Sequence, residues 1–102
     1  MVAGSSQSSV VPINTSELRK KAGIWLRNRR CELGLSQREL ACRVNMEYYT
    51  FISQIEAGRG RVPSDRLRDW ADALEMEPRE FAINLMKYYD PLTFDMIFGT
   101  SE

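Results

Sequence analysis

Helix punctuation constrains this chain more than any other feature. Gly34, Asn45, Gly58 and Asp90-Pro91 interrupt a sequence in which no segment sustains the apolar–polar alternation of a strand. Between the interruptions apolar residues recur at three- and four-residue spacing, which predicts an all-α fold. Ser16 is a good N-cap with Glu17 behind it, and Leu18, Ala22, Trp25, Leu26 and Leu33 then share a face up to the stop at Gly34. Ser36 with Glu39 forms a capping box, followed by Leu40, Ala41 and Val44 and by Asn45 in a left-handed turn. A third helix is predicted from Glu47 or Tyr48 to Ala57, with Ile52 and Ile55 inward and Gly58 as its stop. Ser64 should cap a fourth, carrying Leu67, Trp70, Ala71 and Leu74, and Pro78 should open a fifth, carrying Phe81, Leu85 and Tyr88. The pattern is a compact five-helix domain with a short apolar C-terminal extension that forms a sixth helix or a turn. Residues 1–14, rich in Ser and small side chains, read as a disordered lead-in, 15–90 as the folded domain, and 91–102 as a tail that dimerises or caps the core.

The formal net charge is zero, but its distribution is polar. Ten cations stand against five anions from Thr15 to Arg61, a net of +5; four stand against nine from Val62 to Glu102, a net of −5. A basic half can meet phosphate while an acidic half faces away from it or meets protein. The chain has no histidine and two separated cysteines, Cys31 and Cys42, so no common zinc set can be assembled. Both thiols are expected in or near the helical core. No nucleophile has an evident base and no Gly-rich phosphate loop is present, so no enzymatic activity, cofactor or small-molecule ligand is expected. No apolar run reaches the roughly 18 residues of a membrane span, and the first residues lack the basic and apolar regions of a secretory leader. The expected location is cytoplasmic.

The segment LSQRELACRVNMEYYTFISQIEAGRGRVPS carries more specific information. Its marks are Leu35-Ser36-Gln37, Leu40-Ala41, Val44 and the run Ile52-Ser53-Gln54-Ile55-Glu56-Ala57-Gly58. Upstream stand Gly23, Leu26, Arg27, Arg30 and Gly34; downstream stand Pro63-Ser64, Leu67, Trp70-Ala71, Leu74, Pro78 and Phe81. Together these resemble the helix-turn-helix of the Xre, Cro and phage-repressor (lambda-repressor-like) family over about residues 18–86. One departure is visible. Seven residues, NMEYYTF, separate Val44 from Ile52, one more than the family pattern, so the extra residue lengthens the turn or starts the third helix early.

The resemblance implies a double-stranded DNA-binding transcriptional regulator of bacterial or phage genes, a nucleoid-associated repressor or dual regulator. The helix near 48–57 would enter the major groove, and the preceding helix would cross the phosphate backbone. Candidate DNA contacts are Ser36, Gln37 and Arg38 at the start of the second helix, and Tyr48, Tyr49, Thr50, Ser53 and Gln54 on the third. Arg59 and Arg61 in the following loop would be phosphate clamps. Arg43 is a weaker candidate, Phe51 is expected inside, and Glu56 is expected to brace the loop or another helix. Gln37 takes the position the family uses for a phosphate contact that also braces the recognition helix. One short helix reads few base pairs, so a homodimer on a palindromic operator is expected, joined through Tyr88, Tyr89, Leu92, Phe94, Met96, Ile97 and Phe98. The alternative is a protein-interaction module, such as an antitoxin or a cofactor of a transcription complex.

Overall fold

A computed structural model describes residues 14–99, so all but the last residue of the expected lead-in lies outside the described residues. Helix α1 runs Thr15–Glu32. Its cap is Asn14 rather than Ser16: the Asn14 side chain accepts the Glu17 N–H at 3.0 Å from an extended backbone. Asn and Ser cap about equally well, and the earlier one wins because residues 15 and 16 can already take helical angles. Ala22 and Leu26 are fully buried, while Leu18, Trp25 and Leu33 are half-buried along the same face. Gly34, at φ 72°, ends the helix as expected.

Helix α2 runs Gln37–Arg43 and carries the full capping box. Ser36 Oγ accepts the Glu39 N–H at 3.0 Å, and Glu39 Oε1 accepts the Ser36 N–H at 2.8 Å. The bond from the Ser36 backbone N–H foremost, with the Ser36 hydroxyl beside the carboxylate second, holds the Glu39 carboxyl below the usual carboxylate range. Asn45 takes the left-handed turn at φ 57°. Helix α3 runs Tyr49–Glu56 with Ile52 and Ile55 buried, and ends on Gly58 at φ 83°.

The next segment departs from expectation. Ser64 does not cap an α-helix; residues Ser64–Arg66 form a 3₁₀ turn after Pro63, and helix α4 is confined to Leu67–Ala73. Pro63 holds the chain extended into this turn, and Arg66 donates to the Val44 carbonyl at 3.2 Å, tying the turn to the end of α2. Helix α5 runs Pro78–Tyr89, with Pro78 in its first turn and Glu77 accepting the Glu80 N–H at 2.9 Å. The apolar extension is a sixth helix, α6, Pro91–Phe98. Among the described residues there is no strand.

The core lies between α1, α2, α3, α4 and α5. Trp70, Phe81, Leu26, Leu40, Ile52, Leu74, Leu85, Val44 and Val62 are its largest fully buried side chains. Each contributes about 1.5–3 kcal/mol of burial free energy before conformational entropy is subtracted. Gly23 permits the closest helix approach: a Cβ there would overlap the Glu56 carbonyl, so α1 and the end of α3 meet backbone to backbone. Helix α6 packs against α5 and buries no residue. Contrary to expectation, Cys31 and Cys42 are both exposed. With Leu26 and Arg30 setting the inward face of α1, and Leu40 and Ala41 that of α2, residues 31 and 42 are rotated by about 100° toward solvent.

Candidate nucleic-acid interface

A buried ionic node sets the geometry of α2 and α3. Arg30 on α1 donates from Nε to Glu56 Oε2 at 2.6 Å and from Nη2 to Oε1 at 3.0 Å; its Nη1 reaches the Leu35 carbonyl at 2.7 Å. Gln37, the first residue of α2, donates from Nε2 to the same Glu56 Oε1 at 3.0 Å. Glu56 is the last residue of α3, so one carboxylate binds the first three helices together. Arg30 and Glu56 are each only 8% exposed. The bond from Glu56 raises the Arg30 pKa above its ordinary value, outweighing the opposing effect of burial. Removing one partner would strand the other charge, at a cost of about 3–5 kcal/mol. Glu56 is thus structural, as its position implied, and Gln37 has the bracing contact expected of it.

Residues 44–48 separate α2 from α3, so Glu47 and Tyr48 stand before the helix rather than in it. Tyr48 is the N-cap of α3 and has no side-chain cap bond. With Ile52, Ile55 and Glu56 inward, the outer face presents Tyr48, Tyr49, Thr50 and Gln54, all exposed, with Ser53 half-buried at its edge. Phe51 joins them, against expectation. It is 50% exposed and its ring centroid lies 6.1 Å from that of Tyr48. The whole inward set explains this: with Ile52, Ile55 and Glu56 all buried, position 51 lies about 90° from the centre of that face, at its edge.

The charged residues around α3 divide by direction. The Arg38 guanidinium lies over the Tyr49 ring, 4.2 Å from its centroid, joining α2 to the start of α3. Arg59 donates from Nε to Gln54 Oε1 at 2.7 Å, so these two side chains reach the outer face together. Arg43 turns the other way, donating to the Ala73 carbonyl at 3.2 Å. Arg61 also turns away, pairing with Asp90 at 3.1 Å and lying over the Tyr89 ring at 4.5 Å. Ser36 accepts through Oγ in the capping box, which leaves its hydroxyl proton able to donate.

A rigid helix with an exposed hydrogen-bonding face, braced through Glu56 and preceded by a capped helix, is the arrangement that a helix-turn-helix requires. The helix-turn-helix family matches residues 26–81, just over half of the 102-residue chain. The chain belongs to the Xre/Cro/CI-type helix-turn-helix family. As a member of that family it is a DNA-binding transcription regulator. No curated protein matches it. Among the described residues, no group of three His, Cys, Asp or Glu is placed to hold a metal, and no helix is long and apolar enough to cross a membrane.

The family match ends at Phe81 within α5, leaving the end of α5 and all of α6 outside it. The residues expected to dimerise separate here into two sets. Tyr88 and Tyr89 are half-buried against the core: Tyr88 lies 6.4 Å from Trp25 by ring centroids, and the Tyr89 hydroxyl accepts the Val62 N–H at 3.2 Å. Both are packed within one chain, because the last turn of α5 still lies over α1 and the loop after α3. Leu92, Met96, Ile97 and Phe98 are instead exposed, Met96 to 81%. Phe94 is half-buried and lies 5.1 Å from Phe98 by ring centroids.

Proposed function

We propose that the protein is a sequence-specific repressor or dual regulator of bacterial or phage genes, reading the major groove with α3 as a homodimer on a palindromic operator. The observation that carries this reading is the outer face of α3, held rigid by the Arg30–Glu56–Gln37 node while offering Thr50, Gln54 and the aromatic pair Tyr48 and Phe51 to a partner. Gln54 has the donor and acceptor needed to pair with adenine. Phe51 and Thr50 supply apolar contact for a thymine methyl. Ser36, Gln37 and Arg38 approach phosphate through the start of α2, and Arg59 clamps phosphate beside Gln54. Tyr49 and Ser53 flank the base-reading set.

Helix α6 would join the two protomers. An apolar helix with no buried residue supports this role, since such a surface is normally covered by a partner. The protein would act in the cytoplasm, at the nucleoid. Selection from a random duplex library tests the reading. It predicts an enriched motif with two half-sites about one helical turn, roughly 34 Å, apart. Binding should fall steeply between low and physiological salt, because the release of counterions from DNA gains less as the salt concentration rises. Absence of enrichment at any salt concentration would defeat it. The exposed face of α6 also favours a second reading, a module that docks on another protein. A stoichiometric protein complex that binds no duplex would support that alternative.

A further inference from the structure

The loop that follows α3 is tied at its far end to the junction between α5 and α6. Val62, buried in the core at 1% exposure, donates its N–H to the Tyr89 hydroxyl at 3.2 Å. Next to it, the Arg61 guanidinium lies over the Tyr89 ring at 4.5 Å and pairs with Asp90 at 3.1 Å. Asp90 ends α5 and begins α6, and its side chain caps neither α6 nor any other helix N-terminus. Three contacts thus converge on two consecutive residues, across 27 and 29 positions of sequence. Burial pushes the Tyr89 phenol up from its ordinary value, against the opposing effect of the Val62 bond and of Arg61 and Arg19 nearby. It is therefore a neutral hydroxyl at physiological pH. The two arginines of the loop are divided by this arrangement: Arg59 reaches Gln54 on α3, while Arg61 reaches the α5–α6 junction.

We infer that Tyr89 and Asp90 are positioning residues of the DNA-binding surface, Tyr89 fixing the path of the loop and Asp90 withholding Arg61 from DNA phosphate. The inference rests on the DNA-binding reading and deepens it. Phosphate and carboxylate compete for the same guanidinium, and a partly exposed pair such as Arg61–Asp90 is weak enough for DNA to break it. Asp90 then acts as a brake on affinity, and it sits where α6 begins. Any docking of α6 that shifts Asp90 releases or tightens Arg61.

The test uses the full chain and a 30-bp duplex of random sequence, titrated from about 50 mM salt upward. Asp90→Asn should tighten binding about two- to five-fold and steepen the salt dependence by about one phosphate contact. The gain should vanish in an Arg61→Ala background. Tyr89→Phe, which keeps the ring under Arg61 but leaves the Val62 N–H without its acceptor, should lower the urea midpoint and also weaken binding in the absence of urea, where the chain is still folded by circular dichroism; unchanged binding there would overturn the role of Tyr89. A gain from Asp90→Asn that persists without Arg61 would overturn the inference, because it would report only the removal of a negative charge. No gain and an unchanged salt slope would also overturn it. A wild-type chain that binds no duplex at low salt would defeat the DNA-binding reading itself, and the inference with it.

Discussion

Helices α3 and α6 have eight residues each, yet they stand in opposite relations to the rest of the molecule. Helix α3 buries Ile52, Ile55 and Glu56 and is bound through Glu56 to both α1 and α2. Helix α6 buries nothing and is attached through its packing on α5. The contrast separates two ways of using a short helix. A helix fixed on its inner face can present its outer face at a defined orientation, as base reading demands. A helix that leaves Leu92, Met96 and Ile97 exposed offers an apolar surface, which we propose a second protomer covers.

Removing the anchor of α3 should break the contrast most severely. Glu56→Ala leaves Arg30 buried without its carboxylate and should cost about 3–5 kcal/mol, read as a lower urea midpoint with an unchanged slope. An effect below about 1 kcal/mol would mean that α3 is held by its isoleucines alone. The complementary change is Leu92→Asp with Met96→Asp, on exposed positions of α6. Body stability should stay within about 0.5 kcal/mol of wild type while the sedimenting mass falls from dimer to monomer. A matching loss of stability would show α6 to be part of the monomer core.

A smaller effect is expected on the outer face of α3. Burying one thymine methyl against Phe51 contributes about 0.8 kcal/mol, roughly fourfold in affinity. Replacing thymine by uracil in a selected site should weaken wild-type binding by about that factor at one position per half-site. Phe51→Ala should lose this sensitivity; equal discrimination in the variant would place the methyl elsewhere. The smallest effect concerns the cap of α2. The Glu39 carboxyl titrates lower in the folded chain than in the unfolded one, so its contribution is present above the unfolded pKa and disappears as pH falls through the folded one. Glu39→Gln should flatten the acid limb of stability between about pH 5 and 3, checked by urea midpoints across that range. An unaltered limb would show that the capping bonds do not change the carboxyl's titration.

Local chemistry was legible in the sequence, and long-range chemistry was not. Gly34, Asn45 and Gly58 end helices because of their own backbone preferences, and Ser36 finds its partner three residues away. Those signals placed the helix-turn-helix within a residue or two. The choice of Asn14 over Ser16 was beyond them, because Asn14, Thr15 and Ser16 are three successive residues that can all cap a helix. Pairings such as Arg30–Glu56 and Arg61–Asp90 join residues 26 and 29 apart, and nothing in charge or spacing selects them from the other arginines and acids. For that reason Arg61, expected beside Arg59 on phosphate, is instead found on the α5–α6 junction, and Tyr89 belongs to the loop's support. Phe51 is exposed although it stands four residues before Ile55, because the burial of Glu56, itself fixed by distant Arg30, shifts the inward face of α3 away from it.

If the outer face of α3 reads sequence, as we propose, duplex selection repeated with Gln54→Ala will change the selected motif. Gln54 is exposed, and its carbonyl oxygen is held by Arg59 at 2.7 Å, so the variant should fold as wild type does. The expected motif has the same length and half-site spacing, with preference relaxed at one symmetric position in each half-site and a loss there of about 1–3 kcal/mol. An enriched motif identical to wild type at every position would contradict it.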